Sequence, residues 1–316
     1  MTFPARRLSV RRPARASAAV ALLCTLGLAA CGSDDPVPTS GDTNEPAKRG
    51  TDKPKPTEAS ETPTSSPTSS PTDDDGTAVP IYWVGDGPGG EPRLFREFHR
   101  VQGDPLTEAA RLVMGGGQPD DPDYRTLWPE IDVTLVEATD GVLYVEVPTD
   151  GFSERPDGMT KRDARLAVQQ LVYTLQGVQQ ERIPVTIGRP DTEPQIFGLP
   201  TTKPFEQASA LETLNLVNIT SPEEGATVTD DVLTVTGVAN SFEASGPCRL
   251  SADGVEMLLQ PYQAEGWMED RLFPFEVDFT LEGISGEVVV QCETDDPSGG
   301  AEGDGPSIDT KTITVG

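Results

Sequence analysis

Residues 32–78 carry only four apolar side chains, Val37, Ala47, Ala59 and Ala78, and this limits where a core can form more than any other feature of the chain. The stretch is otherwise dominated by Pro, Thr, Ser, Asp, Glu, Lys and Gly, so it cannot bury enough surface to offset the entropy of ordering. Repeats such as Pro63-Thr64-Ser65-Ser66-Pro67-Thr68-Ser69-Ser70-Pro71 read as a semi-extended, disordered stalk over residues 31–78. Roughly 235 residues follow it, enough for two domains of common size.

Ahead of the stalk, Arg6, Arg7, Arg11, Arg12 and Arg15 precede an apolar run over residues 16–30 that ends in small side chains. The run is shorter than the roughly 20 apolar residues that span a bilayer, and Gly32-Ser33-Asp34-Asp35 stops it. Residues 1–30 therefore read as a signal peptide. Leu28-Ala29-Ala30-Cys31 resembles the bacterial lipobox. The resemblance implies that Cys31 receives a diacylglyceryl group, becomes the first mature residue, and anchors an extracytoplasmic protein to the cell membrane by lipid. An ordinary secretory peptide with a chance cysteine is the alternative. Arg6-Arg7 leaves Sec and twin-arginine export both open.

Loss of residues 1–30 removes five arginines and no acid, which takes the formal net charge from −28 to −33. Such a surface repels phosphate and anionic headgroups, and so argues against nucleic acid as a partner and against electrostatic docking on lipid. Of four cysteines, Cys24 leaves with the signal and Cys31 takes the lipid. Cys248 and Cys292 remain as an even pair in an oxidising compartment and read as one disulfide, with two buried free thiols as the alternative.

The folded part begins with an apolar strand, Val79-Pro80-Ile81-Tyr82-Trp83-Val84, and residues 94–101 read as a second. Gly85-Asp86-Gly87-Pro88-Gly89-Gly90 between them has the letters of a dinucleotide-binding loop. That loop works by opening a helix, and a strand follows here, so a hairpin is expected. Asp104-Pro105 starts a helix that Gly115-Gly116-Gly117 ends. Leu127 and Trp128 are expected to pack back from the acidic loop that follows. Strands over 133–138 and 142–147 precede a second helix, opened by Thr160-Lys161-Arg162-Asp163 and closed by Gly177. A strand over 183–188, with Pro184 favouring an edge, completes strand-strand-helix repeated once and then a strand. This order predicts an α+β sandwich with helices covering one face of a sheet.

Val79-Pro80-Ile81-Tyr82-Trp83, the helix after Asp104, Tyr144-Val145-Glu146-Val147 with Asp150-Gly151-Phe152, and Val168-Gln169-Gln170-Leu171-Val172-Tyr173-Thr174-Leu175 together resemble the GerMN domain over residues 79–205. The helix motif matches closely and the turn at 148–152 loosely. The resemblance implies a non-catalytic extracytoplasmic domain, found in spore germination proteins and in LpqB-type envelope lipoproteins.

After a Pro-rich connector the alternation becomes all-β, with strands expected over 214–220, 232–239, 248–252, 273–279, 287–292 and 308–315. Residues 219–228 and 235–244, Phe273-Pro274-Phe275 and Lys311-Thr312-Ile313-Thr314-Val315 resemble the immunoglobulin-like domain of bacterial spore germination proteins, over residues 212–316. The fold class is thus a GerMN-like α+β sandwich joined to an all-β immunoglobulin-like sandwich. In that topology Cys248 and Cys292 fall on neighbouring strands of one sheet.

Residues that could carry chemistry are few. His99 is the sole histidine, so zinc sites of the usual kinds and hydrolytic triads with Ser241 or Ser285 lack ligands or geometry. No carboxylate pair is marked by spacing or by an apolar setting that would raise a pKa, which argues against wall hydrolysis. Glu293, Asp295, Asp296, Glu302, Asp304 and Asp309 could gather oxygen ligands for calcium, but the spacing lacks the Asp-x-Asp-x-Asp-Gly register and a solvated loop is expected instead. The chain therefore reads as a non-enzymatic, lipid-anchored envelope protein without metal or cofactor. Its partners are expected to be envelope proteins, with peptidoglycan or another glycan, bound or acted upon, as the alternative.

Overall fold

The computed structural model describes residues 76–147, 152–188, 194–296 and 303–316, which fall in one compact unit. The signal peptide, the stalk and Cys31 lie outside the described residues, as do turn residues 148–151 and Glu302.

The first domain opens with β1 (Thr77–Asp86) and β2 (Pro92–Val101), an antiparallel hairpin in which Tyr82 faces Arg96. The glycine segment is its turn, with Gly89 and Gly90 at φ 66° and 74°, a conformation that glycine adopts without a Cβ penalty. Helix α1 (Pro105–Met114) follows, its Asp104 side chain accepting the Thr107 amide at 2.9 Å. Strands β3 (Leu135–Thr139) and β4 (Val142–Glu146) form a second antiparallel pair. Helix α2 (Lys161–Gln179) starts in a complete capping box between Thr160 and Asp163, and β5 (Val185–Gly188) then joins β4 in parallel.

The element order is the one the sequence predicts, but hydrogen bonding divides these strands between two sheets, β1-β2 and β3-β4-β5. Both helices pack on each other and on β1, so Ile81, Trp83, Val168, Leu171, Leu143 and Ile187 share one core. Trp128 is buried in it, its indole donating to the Ala167 carbonyl at 2.6 Å. A small hairpin, β6 (Gln195–Ile196) and β7 (Leu199–Pro200), adds Phe197 to that core.

Gly177 does not end α2 as its sequence position predicts. The helix continues to Gln179, and Gln180 closes it in the left-handed region at φ 59°. Gly177 instead marks close approach: a Cβ there would lie 2.8 Å from Pro80 Cγ on β1.

A one-turn helix, α3 (Ala210–Thr213), leads into the second domain. Its strands are β8 (Val217–Ser221), β9 (Thr227–Val228), β10 (Val232–Ala239), β11 (Ser245–Ala252), β12 (Val255–Ala264), β13 (Phe273–Thr280), β14 (Gly286–Glu293) and β15 (Ile308–Val315). Two of these, β9 and β12, add to the six that alternation predicts. Strand β12 pairs with β11 along most of its length but with β13 only at Gln263 and Ala264. That short contact stitches the strands into one curled sheet of order β8-β10-β13-β12-β11-β14-β15-β9. Cys248 on β11 sits opposite Cys292 on β14, and the two are joined by a disulfide with Cα atoms 4.1 Å apart.

Candidate functional site

The two domains meet along β2, β8 and β15, and the meeting surface has an apolar and a charged part. In the apolar part Val84, Leu94, Leu166, Tyr173, Ala210 and Leu214 form a separate buried cluster. Leu94 and Leu214 are bridged through the backbone, the Asn215 amide donating to the Leu94 carbonyl at 2.9 Å. Beside it, the Arg96 amide donates to Asn218 Oδ1 at 2.9 Å.

The charged part is built by strand alternation. On β15 the side chains of Asp309, Lys311, Ile313 and Val315 all point to the buried face, so two charged groups enter the interior with the core residues. They meet the loop after α1. Lys311 Nζ donates to Asp121 Oδ2 and, at 3.0 Å, to the Tyr124 hydroxyl; its ammonium also lies 4.4 Å from the Tyr124 ring centre. The Tyr124 hydroxyl donates to Asp309 Oδ1, and the Ile219 amide donates to Asp309 Oδ2 at 2.6 Å. Glu97 on β2 holds the loop in place by accepting the Asp121 amide at 2.8 Å and the Asp120 amide at 3.1 Å.

Glu97, Asp121 and Asp309 thus surround a single lysine, and all four are more than nine-tenths buried. Burial, set against the charges and hydrogen bonds around each group, decides the proton affinities. Burial pushes the Asp309 carboxyl up from 3.8 to about 6, against the pull of Lys311, Tyr124 and the Ile219 amide. Burial likewise opposes the Glu97 carboxylate, but His99, the two loop amides and Lys311 outweigh it and hold that carboxyl below its usual range. Lys311 is kept charged despite its burial by Asp309, Asp121 and Glu97, and Tyr124 is driven well above the ordinary phenol range by burial and the same acids.

His99 is tied into the edge of this network. Its Nε2 lies 3.2 Å from Glu97 Oε2 and 3.3 Å from the Trp83 indole nitrogen. Burial disfavours the imidazolium, yet the hydrogen bond to Glu97 and the charges of Asp120, Glu97 and Glu223 raise its pKa overall. Glu97, His99 and Asp120 bring ligand atoms within 4.8 Å of one another, but they offer one imidazole and two carboxylates, and Glu97 is already engaged by backbone amides. That donor set falls short of a closed structural zinc site.

Among the described residues, the acids offered as an alternative calcium set do not bring their ligand atoms together. Asp309 leaves it for the buried junction, because strand alternation puts its side chain on the core face. The Asp295 amide donates to Ser241 Oγ at 2.7 Å, which gives Ser241 a loop-bracing role in place of a nucleophile's. Asp304 is exposed, and a Cβ added at Gly89 of the first domain's hairpin would lie 3.0 Å from its Cβ. Asp296 is half-buried, and Glu302 lies outside the described residues. Sequence reasoning did not single out Tyr124, and it named Lys311 only within the terminal strand motif, without a role for its charge. The period-two pattern that places Lys311 beside Ile313 and Val315 was the available signal.

Comparison with known proteins gives two matching families. The family described as sporulation and spore germination, Germane, matches residues 80–188, and that described as the immunoglobulin-like domain of bacterial spore germination, Gmad2, matches residues 216–301. No curated protein matches the chain. Among solved structures, the tandem GerMN domains of the sporulation protein GerM from Bacillus subtilis are 15% identical, with 59% of each chain covered and a TM-score of 0.32. An engineered protein is 11% identical, with 48% of this chain and 36% of that chain covered and a TM-score of 0.27. The chain thus spans less than two thirds of either structure.

Proposed function

We propose that this chain, which carries a Germane domain of the sporulation and spore germination family followed by a Gmad2 immunoglobulin-like domain of bacterial spore germination, is a lipid-anchored, non-catalytic assembly module of the cell envelope. The observation that carries the reading is the junction. Two domains joined by a free linker would present independent surfaces, whereas here the buried Asp121–Lys311 pair and the Leu94–Leu214 bridge join the two directly. Two domains packed on one another in this way offer a composite surface suited to docking with other envelope proteins. The charged groups at the junction serve this structural end: each is consumed by a neighbour across or within the interface.

In this reading anchoring rests on Cys31 of the Leu28-Ala29-Ala30-Cys31 motif; no helix among the described residues is long and apolar enough to cross a membrane. Cys31→Ser is expected to move the protein from the membrane fraction to the soluble fraction, and quantitative retention on membranes would rule the anchor out. Crosslinking in intact envelopes, with capture of the full chain, is expected to return envelope proteins. Incubation with purified peptidoglycan is expected to leave the wall unchanged. Release of soluble wall fragments would overturn the non-catalytic reading.

A further inference from the structure

On the opposite side of β2 from the charged junction, a cavity of about 310 Å³ opens between β1, α2, the connector and the second domain. Its size is at the low end for sites that hold small organic ligands. Its lining inverts the charge of the protein. Arg96, Arg182 and Arg271 all reach it, with Glu181 as the acid in the wall, in a chain where 52 acids face 24 basic residues.

Ordinary salt bridging explains only one of the three arginines. Arg271 donates to Glu269 at 2.9 Å and stacks 4.2 Å over the Phe273 ring. Arg96 makes no salt bridge among the described residues: one Nη donates to Thr220 Oγ1 at 3.0 Å, the guanidinium lies 5.0 Å from the Phe98 ring centre and hydrogen-bonds the Tyr82 side chain, and its Nε is buried without a partner. Arg182 is exposed at the rim, also with no salt bridge among the described residues. A half-buried guanidinium held by neutral partners, with an N–H still unpaired and no carboxylate bonded to it, keeps the capacity to take an anion, its strongest kind of acceptor.

The rest of the wall restricts which anion. Tyr82 and Tyr173 present tilted rings 5.3 Å apart, with the Tyr173 hydroxyl fixed to the Ala208 carbonyl at 2.7 Å. Leu214 and Leu272 add apolar surface, and Gln176 lines the cavity with its amide oxygen buried and unpartnered. Inorganic phosphate would satisfy the arginines but make no use of the half-buried Tyr82 ring or of Leu272. A planar carboxylate matches the guanidinium fork, and an apolar body attached to it covers that ring.

We infer that this interdomain cavity binds a small organic carboxylate of about dipeptide size, its charge held by Arg96 and Arg182 and its body lying on Tyr82, with Tyr173 backing that ring. Binding at this place would bridge both domains, so the ligand would tighten the junction as well as occupy it. The proposal is independent of the lipid anchor and of the identity of any protein partner.

Calorimetric titration of the full-length chain tests it, with N-acetyl-alanyl-alanine, its C-terminal amide and inorganic phosphate as probes. The free acid is expected to bind, the amide to bind roughly tenfold more weakly or worse, and phosphate not to compete, because the charge-assisted fork and the aromatic wall are both required. Arg96→Gln and Arg182→Gln are each expected to weaken the free acid by roughly tenfold. Arg96 also braces β8, so Arg182→Gln, at the exposed rim, decides the matter if Arg96→Gln unfolds. Equal binding of acid and amide, effective competition by phosphate, unchanged affinity in Arg182→Gln, or no binding of the acid up to about 10 mM would each overturn the proposal.

Discussion

Lys311 Nζ lies 3.0 Å from the Tyr124 hydroxyl, although the two residues stand 187 positions apart and belong to different domains. The lysine is 3% exposed, so water does not compensate its charge or that of the acids around it. The contact therefore makes the stability of each domain depend on the other.

Removing the lysine should expose that dependence. Lys311→Met leaves Asp121 and Asp309 buried with no cation, and a loss of about 3–5 kcal/mol is expected from breaking such a pair. The double variant Lys311→Met, Asp121→Asn should recover a large part of it, since the remaining uncompensated charge is smaller. Urea unfolding of the four proteins of this cycle checks the expectation, and strict additivity of the two changes would refute the coupling.

The Asp309 carboxyl gives the junction a pH dependence of definite sign. Its pKa is raised from 3.8 to about 6 in the folded protein, so the folded state binds more protons between those values. The group's stabilising contribution is complete below pH 3.8 and is lost as pH rises through about 6, a change on the order of 3 kcal/mol at most. Glu97 acts in the opposite sense, because its lowered carboxyl gives up stability only as pH falls below the ordinary 4.5. Urea midpoints of the wild type should therefore fall between pH 5 and 7 more steeply than those of Asp309→Asn. Superimposable profiles would show that the acid does not titrate in this range.

The disulfide closes a loop with a sequence separation of 44 residues and joins two strands that are already hydrogen-bonded neighbours. On the chain-entropy model its loss costs about 4 kcal/mol. The variant with both Cys248 and Cys292 replaced by alanine should unfold at correspondingly lower denaturant. Peptide mapping without reduction should find neither thiol alkylated, and labelling of both would refute the bond.

Gly177→Ala runs against helix propensity in an informative way. Alanine gains up to about 1 kcal/mol in a free helix interior. Here its Cβ would meet Pro80 Cγ at 2.8 Å, so a net loss of about 1–3 kcal/mol is expected from the overpacked contact. Pro80→Ala in the same chain removes the opposing atom and should restore much of the loss. A gain in melting temperature for Gly177→Ala alone would show that α2 can move away from β1.

Local chemistry by itself determined the elements. Asp104 and the Thr160–Asp163 box start α1 and α2 where the sequence places them, because capping is settled within a few residues. Alternation fixed β10 and β15 over 232–239 and 308–315, since one buried face imposes a period of two. Strand β12 stayed hidden for the converse reason: Val255, Met257 and Leu259 are exposed, so burial writes no alternation there, and Pro261 within the strand reads locally as a break. Gly177 reads locally as a helix stop, and only the approach of β1 shows it to be a packing requirement. Alternation could also say that Asp309 and Lys311 point inward beside Ile313. Tertiary structure alone decided what they meet, because the partners Asp121 and Tyr124 come from another domain, and the balance between desolvation and charge pairing depends on distances that no local pattern encodes.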